Sequence, residues 1–324
     1  MIQQLILFTQ SFLNLSDTLD YNNCSVKDGY LKKKIVVEEL SRHENIDLRC
    51  NGIKDISDFK LNNVRYLNLS SNPLKVIRNS FKNLVSVDVS DTRLTDFPSD
   101  FCEAENLRIF NGRTVFFLKF PQCLCENNRL EILNIELTLG PLPKNLISCT
   151  RLRNFSAVLD EDSTQSRKDL EVISGMKNIT HLGLYNLNVS EIRLKNKDNI
   201  KSLRLSLTND SFFDSIVKEL SNWRGLKNLE IVIDSETVSE SIYLLKNIET
   251  LIIRRFKSDQ RVTFPTNLGE LKSLKAIFEF KNFKSLKLDK KISVMRTSFN
   301  RDAYYKRAGY RIVEYRNIVY IENK

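Results

Sequence analysis

The side chains that most often carry catalysis are sparse in this chain and follow no catalytic pattern. There are only two histidines, His43 and His181, which limits imidazole acid–base chemistry. The sequence contains no nucleophile elbow, phosphate-binding loop, zinc-protease helix or kinase signature. It therefore predicts no catalytic residue, no cofactor and no metal, and it favours a binding protein over an enzyme.

Aromatic and arginine side chains alternate with apolar residues in short segments of the second half. In a β-strand, alternate residues point to opposite faces, so these side chains would point away from the core. Such residues concentrate the binding energy of protein interfaces. We therefore predict a partner-binding surface that comprises His181, Tyr185, Arg204, Glu230, Ile252 and Arg254. The alternative is a solvated sheet face with stray apolar residues.

The net charge of +10 is concentrated at the C-terminal end. Residues 251–324 hold 18 Lys and Arg against 7 Asp and Glu. The predicted patch for an anionic partner comprises Lys281, Lys284, Lys287, Lys290, Lys291, Arg296 and Arg301. Basic groups among tyrosines suit RNA or a ribonucleoprotein, bound through residues 281–316. An acidic protein, a membrane surface or a merely solvated cap are the alternatives.

These residues need a scaffold, and a recurrent apolar pattern supplies one. The first apolar position of each short predicted strand falls at Ile46, Leu67, Val87, Phe110, Leu133, Phe155, Leu182, Leu203, Leu229, Leu251 and Ile277. Successive positions are 20 to 27 residues apart. Such a period indicates a stack of similar units, each of which buries its apolar face against its neighbours.

The clearest copy of the unit spans residues 64–77. It reads L-x-x-L-x-L-x-x-N-x-L, with Val64 and Leu74 in the outer apolar places and Asn72 in the asparagine place. This pattern resembles the leucine-rich repeat family. In such a turn the amide of Asn72 should hydrogen-bond the backbone of its own coil and of the neighbouring coil.

The resemblance implies an α/β fold: a leucine-rich repeat solenoid, a curved horseshoe with a parallel β-sheet on its concave face. The convex face would mix helix and coil, with helical patterns around residues 170–176, 212–220 and 238–245. We predict an N-terminal cap at 1–42, about eleven repeats at 43–283, and a basic C-terminal cap with a β-hairpin at 284–324. The implied function is protein–protein interaction on the concave face. An RNA- or ribosome-associated factor is the alternative.

The six cysteines, all within the first 149 residues, match no standard zinc spacing. We expect them to be mostly reduced, small buried residues. Extracellular members of the resembled family often carry cysteines in end caps, so a Cys24–Cys50 bridge is the alternative. The N-terminus makes a weak secretory signal, and no apolar run is long enough for a membrane span. We predict a cytoplasmic protein, with a secreted recognition protein as the alternative.

Overall fold

Two compact units make up the chain in the computed structural model. The first comprises residues 1–160 and 171–179, and the second comprises residues 161–170 and 180–324. The structure describes residues 18–21, 23–24, 34–95, 98–116, 123–126, 129–136, 141–255, 262–274, 276–278, 293–296, 310–315 and 318–323. The domain boundaries proposed at 42/43 and 283/284 remain predictions.

The described part of the first unit contains seven short strands that follow one another in chain order. They are β1 (Thr18–Asp20), β2 (Asn45–Asp47), β3 (Tyr66–Asn68), β4 (Ser86–Asp88), β5 (Ile109–Phe116), β6 (Ile132–Glu136) and β7 (Asn154–Val158). Each strand pairs in parallel with the next, and the predicted apolar positions lie opposite one another from Ile46 to Phe155. The predicted repeat register is therefore confirmed for this unit. Strand β1, which the repeat pattern does not include, adds one more parallel neighbour.

The second unit is built in the same way. Its strands are β8 (His181–Leu187), β9 (Ser202–Leu207), β10 (Asn228–Ile233), β11 (Thr250–Arg255), β12 (Ala276–Phe278), β13 (Ser293–Arg296), β14 (Tyr310–Tyr315) and β15 (Ile318–Asn323). Strands β8 to β13 pair in parallel, with Leu182, Leu203, Leu229, Leu251 and Ile277 in register. An antiparallel pair, β14 with β15, lies where the sequence predicts a hairpin, and β15 also pairs with β13.

The apolar residues of strands β2 to β11 supply the interior of their unit. Leu67 and Leu69 are 0% exposed, as are Leu182 and Leu184. Burial of such side chains is the main favourable term in folding, and one coil alone could not supply it. The coil length, the in-register parallel strands and the shared interior define a leucine-rich repeat solenoid.

Within the described residues, helices are few and lie between the strands. The α-helices are α1 (Val37–Leu40), α2 (Cys123–Glu126), α3 (Ser163–Gly175) and α4 (Phe213–Leu220). Single 3₁₀ turns occur at Ser99–Glu103, Lys144–Ser148, Lys197–Asn199, Asp210–Phe212, Glu240–Leu244 and Leu268–Glu270. Among the residues described, no helix has the length and apolar character to cross a membrane.

Two of the three predicted helices are confirmed, as α3 and α4. The third, around residues 238–245, is wrong, because the segment Glu240–Leu244 is a 3₁₀ turn. The coil from Leu229 to Leu251 is shorter than the coils that hold α3 and α4. It has room for one tight turn, with Ile242 buried against the core.

Asn72 joins two coils through its side chain, as the sequence predicts. It is 1% exposed, and both ends of its amide are used. Its partners, at 2.8–3.2 Å, are the carbonyl oxygens of Leu48, Leu69 and Ser70 and the N–H groups of Asn51 and Ile53. In the next coil Thr92 takes this place and donates one bond, to the carbonyl of Val89 at 2.7 Å. We call the side-chain hydrogen bonds that join neighbouring coils at this turn position the ladder. It therefore has fewer hydrogen bonds where asparagine is replaced.

All six cysteines are paired, so the expectation of reduced thiols is wrong for this structure. The disulfides are Cys24–Cys50, Cys102–Cys123 and Cys125–Cys149. The partners are 26, 21 and 24 residues apart, which is close to one coil. Each bond therefore joins neighbouring coils of the first unit.

Replacing Asn72 with alanine should lower the free energy of unfolding by about 3 to 5 kcal/mol, because several buried carbonyl and N–H groups lose their partner. Urea unfolding followed by circular dichroism measures the change. Asn83→Ala, later in the same coil, is the control. Its exposed side chain donates one bond, to Asn62 at 3.0 Å, so we expect a loss below about 1 kcal/mol. Equal losses for the two variants would contradict the ladder's role.

Candidate functional site: the outward strand faces

The side chains that point away from the core form an outward surface on the strands of each unit, which we call the strand face. In the second unit its central positions are Gly183, Tyr185, Arg204, Ser206, Glu230, Val232, Ile252 and Arg254. The pairing of β8 with β9, β9 with β10 and β10 with β11 sets them side by side. Only three of these residues are charged, and their charged groups are in contact.

Those three residues, Arg204, Glu230 and Arg254, form a cluster that we call the Arg–Glu–Arg cluster. The Nε atoms of the two arginines lie 3.2 and 3.3 Å from the same oxygen, Oε1 of Glu230. Neither Nε–H is aligned for a hydrogen bond, so the cluster is held by charge. The Glu230 side chain is 9% exposed, whereas those of Arg204 and Arg254 are 23% and 39% exposed. The cluster thus presents two cations and hides its only anion.

Tyr185 fixes the position of one of these cations. The guanidinium carbon of Arg204 lies 5.3 Å from the centre of the Tyr185 ring, which is the geometry of a cation–π contact. Tyr185 is itself partly exposed. Four of the six predicted binding residues are therefore in contact, directly or through Glu230.

The other two predicted residues have different positions. His181 lies at the start of β8, with its Nδ1 atom 2.9 Å from Oγ1 of Thr180. Burial and then the charge of Lys201 lower the pKa of His181, so its imidazole is neutral at neutral pH. Ile252 is the register neighbour of Glu230 but is 3% exposed. It therefore offers little surface to a partner.

The predicted anionic-partner patch is almost entirely outside the described residues. Lys281, Lys284, Lys287, Lys290, Lys291 and Arg301 fall there, whereas Arg296 ends strand β13. The patch therefore stays a prediction.

The strand face of the first unit is polar, and its charges are largely satisfied internally. Asp47 holds Arg49 through contacts of its carboxylate with Nε at 3.0 Å and Nη2 at 2.6 Å. Asp88 accepts a hydrogen bond from the backbone N–H of Ser90 at 2.9 Å and another from Nδ2 of Asn111 at 2.8 Å. Burial raises the pKa of Asp88 above its usual value of 3.8. Alternation of side chains along the strands predicts that these residues point outward. It does not predict which of them form ion pairs or hydrogen bonds with one another.

An open depression of about 560 Å³ lies on the flank of the first unit. Its lining includes Arg65 and Arg108, whose side chains are 50% and 57% exposed. Both arginines face acidic partners, Glu44 at 3.5 Å and Glu131 at 3.7 Å. Exposed pairs of this kind contribute little and are easily solvated. In the described part of the chain, no group of three or more His, Cys, Asp or Glu side chains is placed to hold a metal ion.

Comparison with known proteins finds likeness in structure alone. No protein-family model matches the sequence, and no curated protein does. A leucine-rich repeat protein of Leptospira interrogans is 16% identical, with a TM-score of 0.39, over 81% of this chain and 87% of that chain. The functional domain of InlJ from Listeria monocytogenes, which includes a cysteine ladder, is 15% identical with a TM-score of 0.43, over 88% and 72%. The internalin InlF from the same species is 15% identical with a TM-score of 0.44, over 85% and 92%. Because the TM-scores are below 0.5, the repeat fold is assigned from the register and burial of the strands.

Asp88→Asn should raise the free energy of unfolding at pH 7 and leave it unchanged at pH 3. Since the folded pKa of Asp88 is raised, the folded state holds the proton more tightly than the unfolded state. The free energy of unfolding therefore falls as the pH rises from 3.8 towards the pKa of Asp88 in the folded state. Asparagine does not ionise, so the variant does not lose this stability. Oδ1 of Asn111 has no hydrogen-bond partner, so that side chain can turn to accept from the new amide. Urea unfolding at the two pH values measures the difference.

The same substitution two strands away, at the equivalent register position on β2, provides a control of opposite sign. Asp47→Asn removes the carboxylate that holds Arg49, so it should lower stability at pH 7. A gain at Asp47, or a loss at Asp88, would contradict the assignment of the two carboxylates.

Proposed function

We propose that this chain is a non-enzymatic protein-interaction module that binds a partner protein on the strand face of its second unit. The observation that carries the proposal is the Arg–Glu–Arg cluster, with Tyr185 stacked against Arg204. Arginine and tyrosine are enriched where interface energy concentrates. A stack of coils presents such residues in fixed rows, which suits recognition of a macromolecular surface.

The neighbouring positions support the same area. Val232 and Tyr185 are partly exposed and flank the charged cluster. An apolar and aromatic surface around a few fixed charges is the usual composition of a protein interface. No described contact favours the RNA- or ribosome-associated alternative.

The double variant Tyr185→Ala with Arg254→Glu should weaken partner capture by at least about tenfold, because it removes a stacking ring and reverses a charge at the centre of the surface. Capture from extract of the native cells, quantified by mass spectrometry with and without nuclease, measures this. Arg65→Glu on the flank of the first unit is a matched charge reversal and should leave capture unchanged. Thermal unfolding checks that both variants fold.

Equal capture by the double variant and the native sequence would contradict the proposed surface. Capture that nuclease abolishes, and that falls steeply as salt rises from 50 to 200 mM, would favour the RNA alternative. The charge-reversal set at Lys284, Lys287, Lys290 and Arg296 should then remove it.

We further propose that the protein works in an oxidising compartment, as a secreted or surface-exposed protein. The supporting observation is that all six cysteines are paired between neighbouring coils. Disulfides persist in secreted and extracellular proteins and are rare in the cytosol. The cysteine pairing thus favours the secreted alternative over the cytoplasmic prediction.

Protein isolated from the native cells should resist alkylation at all six cysteines. The cells are quenched in acid, which protonates free thiols and stops their oxidation. The denatured protein is then treated with N-ethylmaleimide at neutral pH, and intact mass counts the added groups. Non-reducing digestion should then yield the linked pairs Cys24–Cys50, Cys102–Cys123 and Cys125–Cys149. Alkylated cysteines in the native material would contradict the proposed compartment.

A further inference from the structure

We propose that Arg204 is a preorganised receptor for a carboxylate, so that the partner presents an Asp or Glu side chain next to an apolar residue. This inference rests on the proposed function and specifies the chemistry of the bound surface. Two contacts hold the guanidinium of Arg204 and leave part of the group open.

The two contacts fix the guanidinium from different directions. Nε lies 3.2 Å from Oε1 of Glu230, and the Tyr185 ring lies 5.3 Å from the guanidinium carbon. A free arginine side chain must lose rotamer freedom before it can bind. Because these two contacts already restrict Arg204 in the folded protein, binding would remove less rotamer freedom from it.

The Nη groups of Arg204 stay open on this surface. Arg204 has no further hydrogen bond, ion pair or ring contact within the described structure. The Nε atom of Arg204 is buried. The side chain as a whole is 23% exposed, so its exposed surface lies on its other atoms. On the β8 side its register neighbour is Gly183, which has no side chain to cover it. A planar fork of N–H groups matches the two oxygens of a carboxylate.

Glu230 is a second observation that points to a ligand. Its residue is 8% exposed, yet Oε1 accepts no aligned hydrogen bond and faces two guanidinium groups at 3.2 and 3.3 Å. One carboxylate is thus shared by two cations. A carboxylate from a partner would give the open Nη groups of Arg204 an anion of their own.

Charge balance favours a carboxylate over a phosphate or a nucleic acid. Arg204 offers one guanidinium with open Nη groups, which matches a single carboxylate. A phosphate backbone requires a row of cations, but the flanking positions hold Ser206 and Val232. The partly exposed Val232 and Tyr185 instead suit an apolar residue beside the acidic one.

The test is a displayed library of random 12-residue peptides selected on the full chain. We expect selected peptides to share an Asp or Glu beside an aliphatic or aromatic residue. Changing that acid to its amide in the synthetic peptide should weaken binding about tenfold or more, measured by fluorescence anisotropy. Arg204→Lys should cause a similar loss, since lysine keeps the charge but lacks the fork. The two changes together should cost little more than either alone.

Two sets of variants separate recognition from structural damage. Tyr185→Phe keeps the ring and should bind normally, whereas Tyr185→Leu should lose affinity. Arg49→Lys is the matched control, because the guanidinium of Arg49 is already occupied by Asp47, and it should bind normally. Thermal unfolding midpoints identify any variant that fails to fold.

The inference is overturned if the selected peptides lack a shared acid, or if Arg204→Lys binds them as the native chain does. It also fails if Arg204 governs binding of poly(A) RNA or anionic lipid vesicles but not of peptides. Peptides that depend on Tyr185 and Arg254 but not on Arg204 would leave the proposed function standing and refute this inference alone. A library that yields no peptide dependent on this strand face would count against both.

Discussion

In-register parallel pairing between coils is the constraint on which the other features depend. Leu203, Leu229 and Leu251 lie opposite one another on successive strands, so their side chains share one interior. Because side chains alternate along a strand, a slip of one residue would turn these leucines outward and place Arg204 in the core. The same hydrophobic pattern that builds the interior therefore also decides which charges meet on the surface.

The repeat, its register and much of its turn chemistry could be predicted from the sequence. The spacing of apolar residues is read from nearby sequence. Buried positions such as Leu67 and Leu182 can therefore be assigned without knowing which coils they contact. The amide of Asn72 could also be assigned, since a buried turn must satisfy its backbone groups. The prediction failed at residues 238–245 because their spacing fits a helix, whereas the short coil allows only a 3₁₀ turn.

Contacts between coils were harder to predict. Each cysteine pair is separated by about one coil length, as in Cys102–Cys123, and that signal was available. Whether two cysteines pair also depends on where each one lies on its coil. The spacing of the apolar residues does not determine that position. For the same reason, alternation showed that Arg204, Glu230 and Arg254 point outward but not that the two arginines share one oxygen.

Hydrogen exchange of the native chain, read at single amides of strands β8 to β11, tests the shared register most directly. The account predicts that the paired amides of all four strands exchange slowly and in one cooperative class, because each strand is hydrogen-bonded to a neighbour along a common interior. If β9 or β10 exchanged as fast as an exposed loop while its neighbours stayed protected, the coils would not be stacked in register. The surface built on that register would then not exist.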